Sequence, residues 1–460
     1  VVIRMGVEGV RRFDIRRRGR QQRAVLSGAL AALPAGLMAA LAAELAAEAG
    51  AYFPAVYALT LALCLAGTAL LARCGLPLVL APDLGTACWL IYLIVISHGV
   101  TLPLLYACLT AAAALVWLLL RCGAARRALS AFPPCLRAAL PLSFGLLLFL
   151  WGAEQGRLLL ASPLHLVMLG DFADPLAYFT LLGLLVLLGL RALRLPPLAA
   201  VLGAFLVTAL LSLAEGFWVV PPAPFYLPEG LDRAAGLFLR AGEGETSALA
   251  GAAAAFPWLV AVLLFTSWGT IAALFPRLVG EDSAASNGAS AAAETGGRQA
   301  TAGLRGVLSA LAAVNVLAAL AGVLPLMASR LSALAGREGA RRPRAFACGA
   351  CAIYALLLFT APLARELVSF PAALALLALA AGLSLLRRVR LPRLRLVEAR
   401  AAVLLLVLIV PLPYDIALGL SLSLIAYVLL RQLARRPVPS VTRGLAALFV
   451  LFAVSAAWLF

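Results

Sequence analysis

What most constrains this 460-residue chain is the recurrence of apolar runs about twenty residues long, with charge confined to the breaks between them. A helix needs about 20 apolar residues to cross roughly 30 Å of hydrocarbon. Such runs fall at about 24–43, 52–72, 77–97, 100–120, 138–153, 175–190 and 197–217. A second series follows at about 252–276, 303–322, 324–336, 345–363, 369–386, 399–413 and 415–431, with one further apolar stretch at 443–460. Only 12% of the residues are charged, against about 25% in soluble chains, so most side chains must face lipid or one another. The expected fold is an all-α polytopic membrane protein. It has about fourteen transmembrane segments in a seven-plus-seven arrangement: an Arg-rich arm (1–23), a first seven-span repeat (24–217), a connector (218–250), a second repeat (251–436) and a C-terminal apolar segment (437–460). The stretch 278–302 inside the second repeat is a low-complexity Ala/Ser/Gly linker that cannot bury a core.

The charges supply a test of this threading, because arginines accumulate on the cytoplasmic side of a membrane. All 37 basic residues are arginine, which excludes a P-loop lysine. With a cytoplasmic N-terminus, 32 arginines and 7 acids fall inside, while four arginines (Arg157, Arg233, Arg240, Arg365) and twelve acids fall outside. A missing span would place the Arg387–Arg395 cluster on the wrong face. Eight arginines precede the first full-length run, which argues against a cleavable leader. Although the net charge is +17, the arginines lie between apolar runs and not on one polar face, so nucleic acid is not an expected partner. The N-terminal arm is instead expected to set topology and touch anionic lipid. Cysteines scattered through apolar runs read as packing residues. The Cys348–Cys351 pair lacks the further ligands a zinc site needs, so neither a metal nor another cofactor is expected.

An odd number of spans per half inverts the halves relative to each other, as in many secondary transporters. The threading leaves one acid and one base at membrane depth, Asp83 and Arg330, each in the third span of its half. Both spans are interrupted, by Pro77, Pro82 and Gly85 in one and by Gly322, Pro325 and Gly336 in the other. Interrupted helices at matching positions of inverted halves point to a central binding site for a small polar solute, because half-helix ends leave free N–H and C=O groups there. A charge at the bilayer centre costs at least about 2.5–3.5 kcal/mol unless paired. Asp83 and Arg330 therefore read as a structural pair across the pseudo-twofold, as substrate contacts, or as interfacial charges.

Several stretches resemble one family. RRFDIRRRGRQQRAVLSGALAALPAGLMA, LVLAPDLGTACWLIYLIV, LASPLHLVMLGDFADPLAYFTLLGLL, LLFTSWGTIAALF and VPLPYDIALGLSLSLIAYVLLRQL are similar, in order, to segments of the xanthine/uracil permease (nucleobase:cation symporter) superfamily, adenine/guanine/hypoxanthine branch. The resemblance implies fourteen spans in an inverted repeat with core and gate domains, usually as a homodimer. It also implies a bacterial inner membrane location and transport of nucleobases, purines here, with a proton or other cation by rocking or elevator movement. The chain departs from that family at the site. Thr266 and Leu331 stand where members carry acids in the eighth and tenth spans, whereas Asp83 stands where a small residue is usual. The expected substrate-binding set is Asp83, Gly85, Thr86, Thr266, Ser267, Trp268, Thr270, Ser329, Arg330 and Leu331; Trp268 reads as a stacking candidate or, more commonly for a membrane helix, as a packing residue, and the Ser and Thr hydroxyls as cavity-lining groups or as helix glue and backbone partners, while no residue is assigned a catalytic role. Asn315 reads as interhelical glue, and His98 and His165 as outer-loop groups. Two alternatives stay open: an anion transporter of the same architecture using Ser329–Arg330, whose Ser-Arg pair is similar to that of sulfate- and anion-transporting relatives, and a non-transporting membrane protein.

Overall fold

A computed structural model describes residues 2–123, 129, 132–161, 167–195, 197–240, 246–275, 303–329, 332, 341–369, 372–387, 396–412 and 416–459. Arg330, Leu331, His165, the 278–302 linker and most of the Arg387–Arg395 cluster lie outside the described residues. The chain is an integral membrane protein built almost entirely of apolar helices.

The first half runs α1 (Val2–Glu48), α2 (Phe53–Arg73), β1 (Leu80–Pro82), α3 (Leu84–Cys88), α4 (Leu102–Arg121), α5 (Pro134–Gln155), a small hairpin β2 (Leu159–Ala161) and β3 (Val167–Leu169), α6 (Pro175–Ala192) and α7 (Pro197–Ala214). The second half runs α8 (Thr246–Leu274), α9 (Leu304–Leu320), β4 (Leu326–Ala328), α10 (Pro343–Leu357), a short α11 (Ala361–Ser369), α12 (Ala372–Leu386), α13 (Val397–Ile409) and α14 (Ile416–Leu433). The apolar stretch at the C-terminus is a further helix, α15 (Ser440–Leu459), packed on α14 and α8. The Arg-rich arm is continuous with the first span in α1.

The packing repeats when the halves are exchanged. Helix α10 packs on α1 and α2, and α4 packs in the same way on α8 and α9; α6 pairs with α7 as α13 pairs with α14; α5 lies against α12. Helices α1, α2, α4 and α8–α10 form one bundle with the two strands, while α5–α7 and α12–α14 form a second. Glycine permits the closest helix approaches. A Cβ on Gly28 would run into the Phe346 carbonyl oxygen, and one on Gly152 would lie 2.9 Å from Ala375 O and Leu379 N. Without a hydrophobic drive between helices in lipid, such small-residue contacts carry much of the association.

The third span and the described part of the tenth break from helix into β1 and β4, which cross as an antiparallel pair in the register Leu80↔Ala328, Ala81↔Met327, Pro82↔Leu326. Each arm is launched by a helix end closed with a glycine in the left-handed region, Gly75 (φ 84°) and Gly322 (φ 70°). At both, the backbone turns with the same bonds, Leu76 N–H to Leu71 O and Val323 N–H to Ala318 O. Extended backbone at membrane depth survives only where protein satisfies it. Here Leu80 N–H donates to Thr68 Oγ1 at 3.1 Å, and Leu326 N–H donates to Asn315 Oδ1 at 2.7 Å. Thr68 and Asn315 stand at equivalent places in α2 and α9. Asn315 thus fastens a helix to an unwound arm, a specific form of the glue expected of it.

Three ion pairs, Arg157–Asp174 (2.9 Å), Arg365–Glu44 (3.4 Å) and Arg436–Glu398 (2.9 Å), each join residues that the threading puts on one face. No pair among them bridges the two faces.

Candidate functional site

Just beyond the strand crossing, the arms turn into the space between the bundles. Asp83 N–H donates to Pro325 O (3.4 Å) and Ser329 N–H to Val79 O (2.7 Å), one bond being the pseudo-twofold image of the other. The crossing is further clamped by Val79 N–H donating to Ser332 Oγ at 3.1 Å and by the Tyr354 hydroxyl donating to Leu80 O. Asp83 and Ser329 are therefore equivalent positions presented by a rigid backbone frame.

A cavity of about 240 Å³ opens at this point. The first bundle contributes Met38 from α1, Ala81 to Asp83, Gly85 and Cys88 from the third span, and Met327 to Ser329 from the tenth. The opposite wall is a single stripe of α5, with Leu147, Leu148, Trp151, Glu154 and Gln155 spaced three and four apart. The walls thus belong to different bundles.

Asp83 is 8% exposed and serves as the N-cap of α3. Its Oδ2 accepts from Thr86 N–H at 3.2 Å and from Thr86 Oγ1 at 2.6 Å. This accounts for two of the predicted residues: Asp83 reaches the cavity, and Thr86 stands behind it and fixes its rotamer. Beyond Cys88 the span continues as a π-helix over Trp89–Ser97, a rare conformation that recurs at functional places.

Of the other expected residues, Gly85 and Ser329 line the cavity. The eighth-span set does not. Thr270 Oγ1 donates to Thr266 O at 2.8 Å, and Ser267 Oγ donates to Leu263 O at 2.6 Å while also reaching Met327 Sδ at 3.1 Å. These hydroxyls satisfy their own helix, and Ser267 props the tenth-span strand. Trp268 is 1% exposed and packs against Phe132 at 4.9 Å between ring centroids; Phe132 in turn meets Phe265, and Phe265 meets Phe449. The Trp268 indole is thus buried against Phe132 and is not among the residues that line this cavity.

Sequence reasoning missed Trp151, Glu154 and Gln155, Glu154 being only one of the twelve acids that the threading puts outside. The available signal was the Trp-x-x-Glu-Gln ending of an otherwise apolar run, three to four residues apart on one helical face. Among the described residues, no group of three or more His, Cys, Asp or Glu side chains is arranged to hold a metal ion.

No family model matches the chain, and no curated protein does. Among solved structures it is similar to the transmembrane domain of the cyanobacterial bicarbonate transporter BicA, at 17% identity over 89% of this chain and 98% of that one, with a TM-score of 0.49.

Proposed function

We propose that the chain is a secondary transporter for a small nucleobase-like solute, a purine in the first instance, moved by displacement of one bundle against the other. The observation that carries this reading is the cavity itself. It lies where two unwound spans of inverted halves cross, and its walls come from two bundles, so relative movement of the bundles changes access to it. Inverted halves with interrupted spans are the arrangement that places a solute at the midplane for alternating access.

The polar groups support this cargo class. Asp83 and Glu154 offer carboxylate oxygens, acceptors of N–H bonds when ionised. Ser329 and Gln155 can give or take, and the rest of the wall is apolar. A planar heterocycle with ring N–H groups matches acceptors set in an apolar slot. Coupling to a proton or other cation is what the family resemblance implies.

Thermal unfolding of the purified protein across hypoxanthine, uracil, sulfate and bicarbonate tests the proposal. A ligand at a hundred times its dissociation constant stabilises the folded state by about 2.7 kcal/mol. Stabilisation by hypoxanthine that is lost in Asp83→Asn is expected. Stabilisation by either anion, with none by a nucleobase, would overturn the reading in favour of anion transport.

A further inference from the structure

The second bundle's wall is more than a boundary. Trp151 is the one aromatic ring among the described residues lining the cavity, and Glu154 lies three positions further along the same face of α5. Residues three and four apart are neighbours on a helix, so ring and carboxylate stand side by side. Below them Leu147 and Leu148 close the slot, and Gln155 flanks Glu154. The orientation of this face is fixed from behind. Gly145 and Gly152 press α5 onto α12, where a Cβ on Gly145 would meet Leu386 side-chain atoms at 2.9 Å and a Cβ on Gly152 would meet backbone at 2.9 Å. Rotating α5 by one position would bring a side chain into that contact.

A tryptophan at the end of a span ordinarily anchors the helix at the lipid interface. Trp151 instead turns a half-buried ring into a polar-edged cavity. We infer that Trp151 and Glu154 form the second bundle's reader of cargo: Trp151 stacks on the face of a planar heterocycle while Glu154 accepts from an N–H on its edge. This rests on the nucleobase reading and extends it, because it makes planarity, and not only hydrogen bonding, a requirement on the solute.

The reader sits on a different bundle from Asp83 and Ser329. A bound base therefore ties the two bundles together in this conformation, and displacement of one bundle separates the halves of the site. Trp151 and Glu154 then set affinity on one side of the transport cycle.

The test uses the full chain, purified in detergent, with hypoxanthine as probe. Calorimetry should show Trp151→Ala binding roughly 10- to 100-fold more weakly than wild type, the range for loss of one base–aromatic stack. Trp151→Phe, which keeps a ring, should stay within a few-fold. Glu154→Gln should lose about tenfold, as expected for trading a charged acceptor for a neutral one. Hypoxanthine should quench tryptophan emission in wild type and much less in Trp151→Phe, a signal that a purely structural role would not produce. That arm also decides the matter if Trp151→Ala fails to fold. Undiminished quenching in Trp151→Phe, or wild-type affinity in a folded Trp151→Ala, would overturn the reader while leaving nucleobase transport standing. Absence of hypoxanthine binding to wild type would remove both.

Discussion

The arm of the third span and the arm of the tenth share one backbone scheme and differ in what they present. Each leaves its helix through a left-handed glycine, each has its first strand N–H accepted by a side chain of the preceding helix, and each sends one N–H across the crossing to the other. At the tip the likeness ends. One arm places a carboxylate in the cavity and locks it with Thr86, while the other places the Ser329 hydroxyl there. Duplicated architecture is thus held by main-chain bonds and small residues. Chemistry is assigned by single side chains at equivalent positions, which are free to diverge because the frame does not depend on them.

The largest effects should come from breaking what the arms share. Asn315→Leu strands the buried Leu326 N–H, and Thr68→Val strands that of Leu80. An unsatisfied buried donor costs about 1–3 kcal/mol. Both variants should lose stability by comparable amounts in denaturant or thermal unfolding, with cargo affinity weakened only as the frame loosens. A large loss in one and none in the other would show that the two arms are alike in geometry but not in energy.

Next come the tips, where the arms should behave differently. Asp83→Asn keeps an oxygen to accept from Thr86 and remains a good N-cap, so the fold should be retained. It removes a charged acceptor, and hydrogen bonds to charged groups are worth about 1.5–3 kcal/mol against 0.5–1.5 for neutral ones. Hypoxanthine affinity should fall by tenfold or more. Ser329→Ala should cost a few-fold at most, measured in the same titration. Equal losses would mean that the arms contribute symmetrically and that the carboxylate has no special part.

How far this was legible beforehand depends on the range of the interactions. The spans, their inversion and the two interruptions can be read because runs of apolar residues, arginine placement and Pro/Gly breaks act locally. Asp83 is conspicuous because an acid at membrane depth has few explanations. The α5 wall is not, because both faces of that helix are apolar for most of its length, and the face turned inward is chosen by Gly145 and Gly152 against α12, more than 200 residues away. The eighth-span residues stay ambiguous in sequence for the opposite reason. Their motif resembles a binding segment, but nothing local reveals that Trp268 is buried against Phe132.

The smallest effect on binding should therefore come from that tryptophan. Trp268→Phe shortens a fully buried ring inside an aromatic cluster and leaves a gap beside Phe132, and truncations of this kind cost stability in proportion to the cavity left behind. A loss of about 1–2 kcal/mol in unfolding is expected, with hypoxanthine affinity unchanged within twofold. Trp151→Phe makes the instructive partner, since the same substitution there should leave stability nearly intact and alter the fluorescence response. If the two tryptophans exchanged these roles, with Trp268→Phe abolishing the quench, then the eighth span and not α5 would face the solute, and the cavity wall would have to be sought in another conformation of the bundles.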